Sequence, residues 1–352
     1  MHFGDGLEEA RGIDRDVLPL FDVAHKGVAM QGQPHFVSHM MDLPPVYNQP
    51  EDGTCLLHFP TQQIQRMKHF KKAAGGRMEY FVAYNPYREH WRGGREGDSL
   101  RIVKDAIKNH GATGVKIYPP SGYRAAGNQI KLRQHVLNKY PGQQWDARYG
   151  PWKDANTELN RRLNELLEWC CTNDVPVFTH CGTGEFEARK GYSIWHADPK
   201  YWNQWMEAYT KRTGRLCPLR LCLGHAGGDT YWFGGRKFVE WGDIVHQMCT
   251  TYPNVYCEVS AHADMINEDA RAYYVSRLNN LFKASANLRT SRGETLAFSK
   301  KLLFGTDWYL PHQAPHQDIV KAAQTIFLHP SLKPHYRDYF HNNARRYLGS
   351  AR

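Results

Sequence analysis

The chain has no run of about 18 apolar residues, the length a helix needs to cross a bilayer, so no membrane span is expected. Its start, Met1 to Gly6, has neither a basic stretch nor an apolar core, so no secretory leader is expected. Its eight cysteines show no Cys-x-x-Cys or Cys-x-His spacing, which argues against a zinc finger or a disulfide scaffold. Cys170, Cys181, Cys222 and Cys257 fall in apolar segments and read as reduced, small apolar residues, which suits a reducing cytoplasm. No sequence repeat and no linker divides the chain, so a single domain over 1–352 is expected. No Gly-x-Gly-x-x-Gly follows the first strand, which counts against a dinucleotide site.

What is present is ordinary for a globular protein of 352 residues: 41% hydrophobic and 23% charged. The formal net charge is +10, with 19 histidines uncounted. The basic residues are scattered, and the densest pairs, Arg161-Arg162 and Arg345-Arg346, lie on helical segments. Nucleic acid is therefore not expected as a partner; a small anionic substrate accounts for part of the charge as well.

One pattern recurs. Val175 to His180 is an apolar run that ends in histidine before Cys181-Gly182. Leu219 to His225 ends in histidine before Gly227-Gly228, and Lys301 to Asp307 ends in aspartate. Ala112 to Tyr118 carries Lys116. Short apolar runs bounded by turn residues read as buried parallel strands, whose C-terminal ends are where α/β sites form. With His35–Asp42, Met78–Tyr84 and Asn254–Ser260 the count is seven strands, nearly every one followed by a helical pattern. The clearest helix has Leu159, Leu163, Leu166, Leu167 and Cys170 on one face. Arg15–Met30 reads as a further helix, residues 1–15 as poorly ordered, and 119–155 and 185–205 as loop insertions. The fold expected is α/β, a (β/α)8 TIM-type barrel, with a first strand that is atypical or lacking.

His180, His225 and Asp307 end three separate strands. Two imidazoles and a carboxylate are a sensible shell for a divalent ion, zinc first and manganese as the alternative. Such an ion makes water acidic, and a nearby carboxylate can take the proton. The competing reading is that each histidine is a hydrogen-bonded structural residue.

Taken together, Gly114–Pro120, Val177–Cys181, Leu223–Gly228, Asn254–Ser260, Leu303–Trp308 and Asn342–Gly349 resemble the amidohydrolase superfamily. The branch is the one with aminocarboxymuconate-semialdehyde decarboxylase, resorcylate decarboxylases and lactonases. The resemblance implies one or two metal ions at the mouth of the barrel, with His180 and His225 as fifth- and sixth-strand ligands. It makes Asp307 ligand and general base on the eighth strand. Lys116 falls where some relatives carry a carboxylated lysine and others bind substrate; the substrate role, with Tyr118 and Arg124 assisting, is the one favoured here. Glu185, Trp195, His196 and Trp308 are candidate pocket walls, with aromatic core packing as the competing reading.

The family's first-strand His-x-His pair is not found; His35 and His39 are four apart on what matches the second strand. The expectation is a chain that starts after strand one. Upstream sequence, the segment before Arg15 or a partner chain would then cover the exposed sheet edge, and a homo-oligomer is expected. The function expected is metal-dependent hydrolysis of a small anionic lactone or amide, His225 or the metal polarising the carbonyl. The alternatives are non-oxidative decarboxylation, or a scaffold with a degraded metal site.

Overall fold

The structure, a computed structural model, describes residues 35–40, 60–87, 98–128, 155–183, 187, 193–234, 239–260, 262–307 and 316–349. The fold is α/β of the (β/α)-barrel type. Its strands are β1 (Phe36–His39), β2 (Met78–Tyr84), β3 (Gly114–Ile117), β4 (Val177–His180), β5 (Leu221–Gly224), β6 (Val255–Val259) and β7 (Leu302–Phe304). They follow one another in sequence order in one seven-stranded sheet, and the pairs β2–β3, β3–β4 and β6–β7 are parallel. Every residue of β3, β4, β5 and β6 is buried, as expected of parallel strands covered on both faces.

The helices between them bury one face each. In order they are α1 (Pro60–Ala73), α2 (Asp98–Asn109), α3 (Ala155–Asn173), α4 (Lys200–Thr213), α5 (Thr230–Phe233), α6 (Val239–Thr251), α7 (Glu268–Ser285), α8 (His316–Leu328) and α9 (Asn343–Leu348). On α3 the expected Leu159, Leu163, Leu166, Leu167 and Cys170 are all buried. Glu158 pairs with the exposed Arg161 and the buried Arg162, whose guanidinium groups hold the Glu158 carboxyl down at about 2. α3 stops at Asp174, which turns left-handed (φ 53), and Val175 N–H donates to the Cys170 carbonyl.

α4 corrects the reading of 185–205 as loop throughout. Tyr201, Trp202, Trp205 and Met206 fall on one helical face and are buried, so the aromatic content that suggested a loop is a packed stripe. Asp198 caps the helix by accepting from Lys200 N–H at 2.9 Å. The strands are also shorter than the apolar runs: β5 stops at Gly224 and β7 at Phe304, so His225 and Asp307 lie in turns beyond them.

The seven cysteines among the described residues are all free. Among the described residues no helix is long and apolar enough to cross a membrane. The expected helix at 15–30, the N-terminal 1–15, the region ahead of β1 and most of the 119–155 insertion lie outside the described residues, as do Glu185 and Trp308. The described residues fall in two compact units. Of the described residues, 38–40, 60–68 and those between 80 and 223 fall in one, and 35–37, 69–79 and those between 224 and 349 in the other.

Candidate functional site

In the first unit, register brings several of the candidate residues to one face. Lys116 on β3 pairs with Phe178 on β4, and Ala83 on β2 pairs with Lys116. Side chains two apart share a face, so Lys116 and Tyr118 lie alongside Phe178 and His180. The Lys116 ammonium sits 4.4 Å from the centre of the Phe178 ring, a cation–π contact, and the residue is buried. The Tyr118 and His180 rings meet edge to face at 5.0 Å. The His39 ring lies tilted against Phe178, centroids 3.9 Å apart, and Phe81 meets both rings edge-on. Gly114 makes room for this cluster, because a Cβ there would overlap the Phe81 ring and the Pro176 carbonyl.

The loop after β3 is pinned by Tyr123. Its hydroxyl accepts from Tyr118 N–H and donates to the Tyr84 carbonyl, each at 3.2 Å. Arg124 lies with its guanidinium 4.4 Å from the Tyr201 ring centre, and its Nε is buried with no hydrogen-bond partner among the described residues. Of the other candidate walls, Trp195 is exposed and His196 buried.

The second unit holds a different construction. Four successive residues, His225 (φ 61), Ala226 (φ 47), Gly227 (φ 86) and Gly228 (φ 90), are all left-handed. Two of them carry side chains that disfavour this region, so the surroundings must impose it. Gly228 N–H donates back to the His225 carbonyl at 2.7 Å, and His262 Nε2–H donates to the same oxygen at 2.9 Å. Trp232 Nε1–H donates to the Ala226 carbonyl at 2.9 Å. Gly227 packs against the backbone of Trp241 and Gly242, where a Cβ would come within 2.9 Å.

His225 is also bonded from below. Its N–H donates to Glu258 Oε2 at 3.3 Å. Its Nδ1 lies 3.1 Å from Ser260 Oγ and 3.3 Å from the Ser260 carbonyl. Ser260 Oγ–H in turn donates to Glu258 Oε2 at 2.9 Å. Burial pushes the His262 imidazole down to about 4, so it is neutral at physiological pH. Asp307 is the third left-handed non-glycine residue at a strand end (φ 51), and its Oδ2 is buried with no hydrogen-bond partner among the described residues.

The three residues read as ligands are thus not alike. His180 belongs to the Lys116–Tyr118–Phe178 face, whereas His225 and Asp307 sit in strained turns of the other unit. Among the described residues no three His, Cys, Asp or Glu side chains form a metal-holding group. The donor chemistry nevertheless suits a divalent ion: an orphaned carboxylate oxygen on Asp307, and an imidazole held at Nδ1 by outer partners as ligand histidines are. Sequence reasoning gave no role to Glu258 and Ser260, although both lie in the Asn254–Ser260 motif, and none to His262. The available signal was a lone carboxylate in an otherwise apolar parallel strand, which burial forbids unless it is hydrogen-bonded.

A parallel β/α protein with polar residues at its strand ends is the class these features define. The chain belongs to the amidohydrolase family, whose members are metal-dependent: the family profile, described as Amidohydrolase, matches residues 73–350. Three solved structures are similar to it. One is 5-carboxyvanillate decarboxylase from Sphingomonas paucimobilis, at 14% identity and TM-score 0.46, with 90% of this chain and 79% of that one covered. Another is 2,6-dihydroxybenzoate decarboxylase from Rhizobium, at 14% identity and TM-score 0.48, covering 96% and 88%. The third is 5-carboxyvanillate decarboxylase from Novosphingobium aromaticivorans, with bound manganese, at 11% identity and TM-score 0.46, covering 98% and 92%. No curated protein matches the chain.

Proposed function

We propose that the chain is a metal-dependent hydrolase of a small anionic lactone or amide. The observation that supports this most is the left-handed backbone at both His225 and Asp307, since strain of this kind persists where function requires it. His180, His225 and Asp307 are the proposed ligands, with zinc or manganese as the ion. When bound, such an ion polarises a carbonyl oxygen and makes water acidic. Asp307 Oδ2 takes the proton from the attacking water, and His225 would hold the ion that polarises the carbonyl. Lys116 binds the anionic group of the substrate as a point charge, with Phe178 beneath the ammonium and Tyr118 and Arg124 beside the loop.

A second reading, non-oxidative decarboxylation, is favoured by the aromatic character of the Lys116 face. Phe81, Phe178 and Tyr118 suit a flat carboxylate. In that version the C–C bond to the carboxylate breaks, carbon dioxide leaves, and Asp307 supplies the proton that forms the C–H bond. The test is a panel of carboxylate-bearing lactones and amides beside aromatic carboxylic acids, assayed for acid release and for carbon dioxide. Acid release that is lost on chelation and in Asp307→Asn supports hydrolysis. Carbon dioxide release with the same dependence selects the second reading. Turnover in Asp307→Asn within a few-fold of wild type contradicts both.

A further inference from the structure

The buried carboxylate of Glu258 takes no part in the chemistry proposed for the site, yet it touches the backbone or side chain of three neighbouring strand ends. It is the next-to-last residue of β6, flanked by Cys257 and Val259, and is buried. Its partner across the sheet is Leu303 on β7. Room for it comes from Gly305, where a Cβ would overlap Glu258 Oε1. Gly305 N–H donates to the Val259 carbonyl at 3.1 Å, so the start of the Gly305-Thr306-Asp307 turn is built around this carboxylate.

The hydrogen-bond directions depend on how many protons each group has. A serine hydroxyl carries one proton. Ser260 gives it to Glu258 Oε2, an acceptor, and therefore turns its lone pairs toward His225 Nδ1. A second group near Nδ1 is the Ser260 carbonyl, which only accepts. Both neighbours being acceptors, Nδ1 carries the proton and Nε2 carries the lone pair. The same Oε2 accepts from His225 N–H, which helps hold the residue in its left-handed conformation. Take Glu258 away, and the Ser260 hydroxyl is free to turn its proton onto Nδ1.

We propose that Glu258 is a positioning residue for His225: through Ser260 it fixes the Nδ1–H tautomer, so that Nε2 is presented as the ligand or proton-accepting nitrogen, and through its backbone bond it holds the turn that carries the ring. The ligand role of Nε2 rests on the function proposed for the site; the tautomer does not.

The experiment uses the full chain, labelled with 15N-histidine and treated with chelator. Long-range 1H–15N spectra are recorded at about pH 8, above the ordinary imidazole range. His225 is assigned by the signal that disappears in His225→Gln. Wild type should show a single Nδ1–H tautomer for His225. Glu258→Gln should give a mixture of tautomers, whereas Ser260→Ala, which keeps the residue-260 carbonyl beside Nδ1 and removes the hydroxyl, should keep the Nδ1–H form. Glu258→Gln should also weaken binding of added zinc or manganese by about 10- to 100-fold, as losing an outer partner of a ligand does. His225 protonated on Nε2 in wild type would overturn the proposal. A single unchanged tautomer in folded Glu258→Gln would overturn it too. A tautomer shift with unchanged metal affinity would remove His225 from the ligand set and leave Glu258 in its positioning role.

Discussion

The ends of β4 and β5 carry the same sequence pattern and are built in opposite ways. Both are apolar runs closed by histidine, with a glycine two residues later. His180 remains the last residue of a regular buried strand, and its ring meets Tyr118. His225 lies past the end of β5, as the first of four left-handed residues. The next residues in the chain and the neighbours in space make the difference. Gly227-Gly228 permits the turn, while Trp232, Glu258 and His262 each form a hydrogen bond to its backbone. Fixing a side chain by regular strand geometry depends on register alone. Fixing it by a strained turn depends on several distant residues agreeing, and gives an imidazole with a defined protonated nitrogen.

The sharpest way to break this contrast is Gly227→Ala. A methyl group there meets the backbone of Trp241 and Gly242 in a conformation only glycine accepts freely, so a loss of roughly 3 kcal/mol is expected in denaturant unfolding. Gly182→Ala, at the β4 end, should cost markedly less.

Next comes pH. The His262 imidazole has a folded-state pKa of about 4, below its ordinary 6.5. Between those values the unfolded chain binds the extra proton and the folded chain does not. Stability of chelator-treated protein should therefore be complete above pH 6.5 and fall as pH drops toward 4, by on the order of 2 kcal/mol. In His262→Asn the slope should be shallower by about that amount, as read from urea midpoints across the same range.

The register-built face should respond differently. Lys116→Met should raise KM by about tenfold or more through loss of one charge-assisted contact, while unfolding midpoint and metal content stay put. Loss of metal with the lysine would instead indicate a carboxylated, metal-bridging Lys116. The smallest effect is expected at Ala226→Gly, which relieves one left-handed side chain and should stabilise by about 1 kcal/mol.

Much of the scaffold was legible in the sequence because its signals are local. Apolar runs marked all seven strands, and the spacing of Leu159 to Cys170 marked α3. Where sequence reasoning failed, the decisive contacts were distant. α4 looked like loop because its aromatic face is recognisable only against the core it fills. His225 and Asp307 looked like strand residues because left-handed turns in non-glycine residues leave no periodic trace. Glu258 went without a role because its partners, His225 and Ser260, come from two different strand ends.

The central claim is that two of the left-handed residues, His225 and Asp307, exist to hold a metal. Metal analysis of protein reconstituted with zinc or manganese tests this directly, in wild type, His225→Gln and Asp307→Asn. About one tightly held ion per chain is predicted in wild type and its loss in both variants, with folding retained. Wild type that stays metal-free after reconstitution, or variants that keep the ion, would contradict the claim.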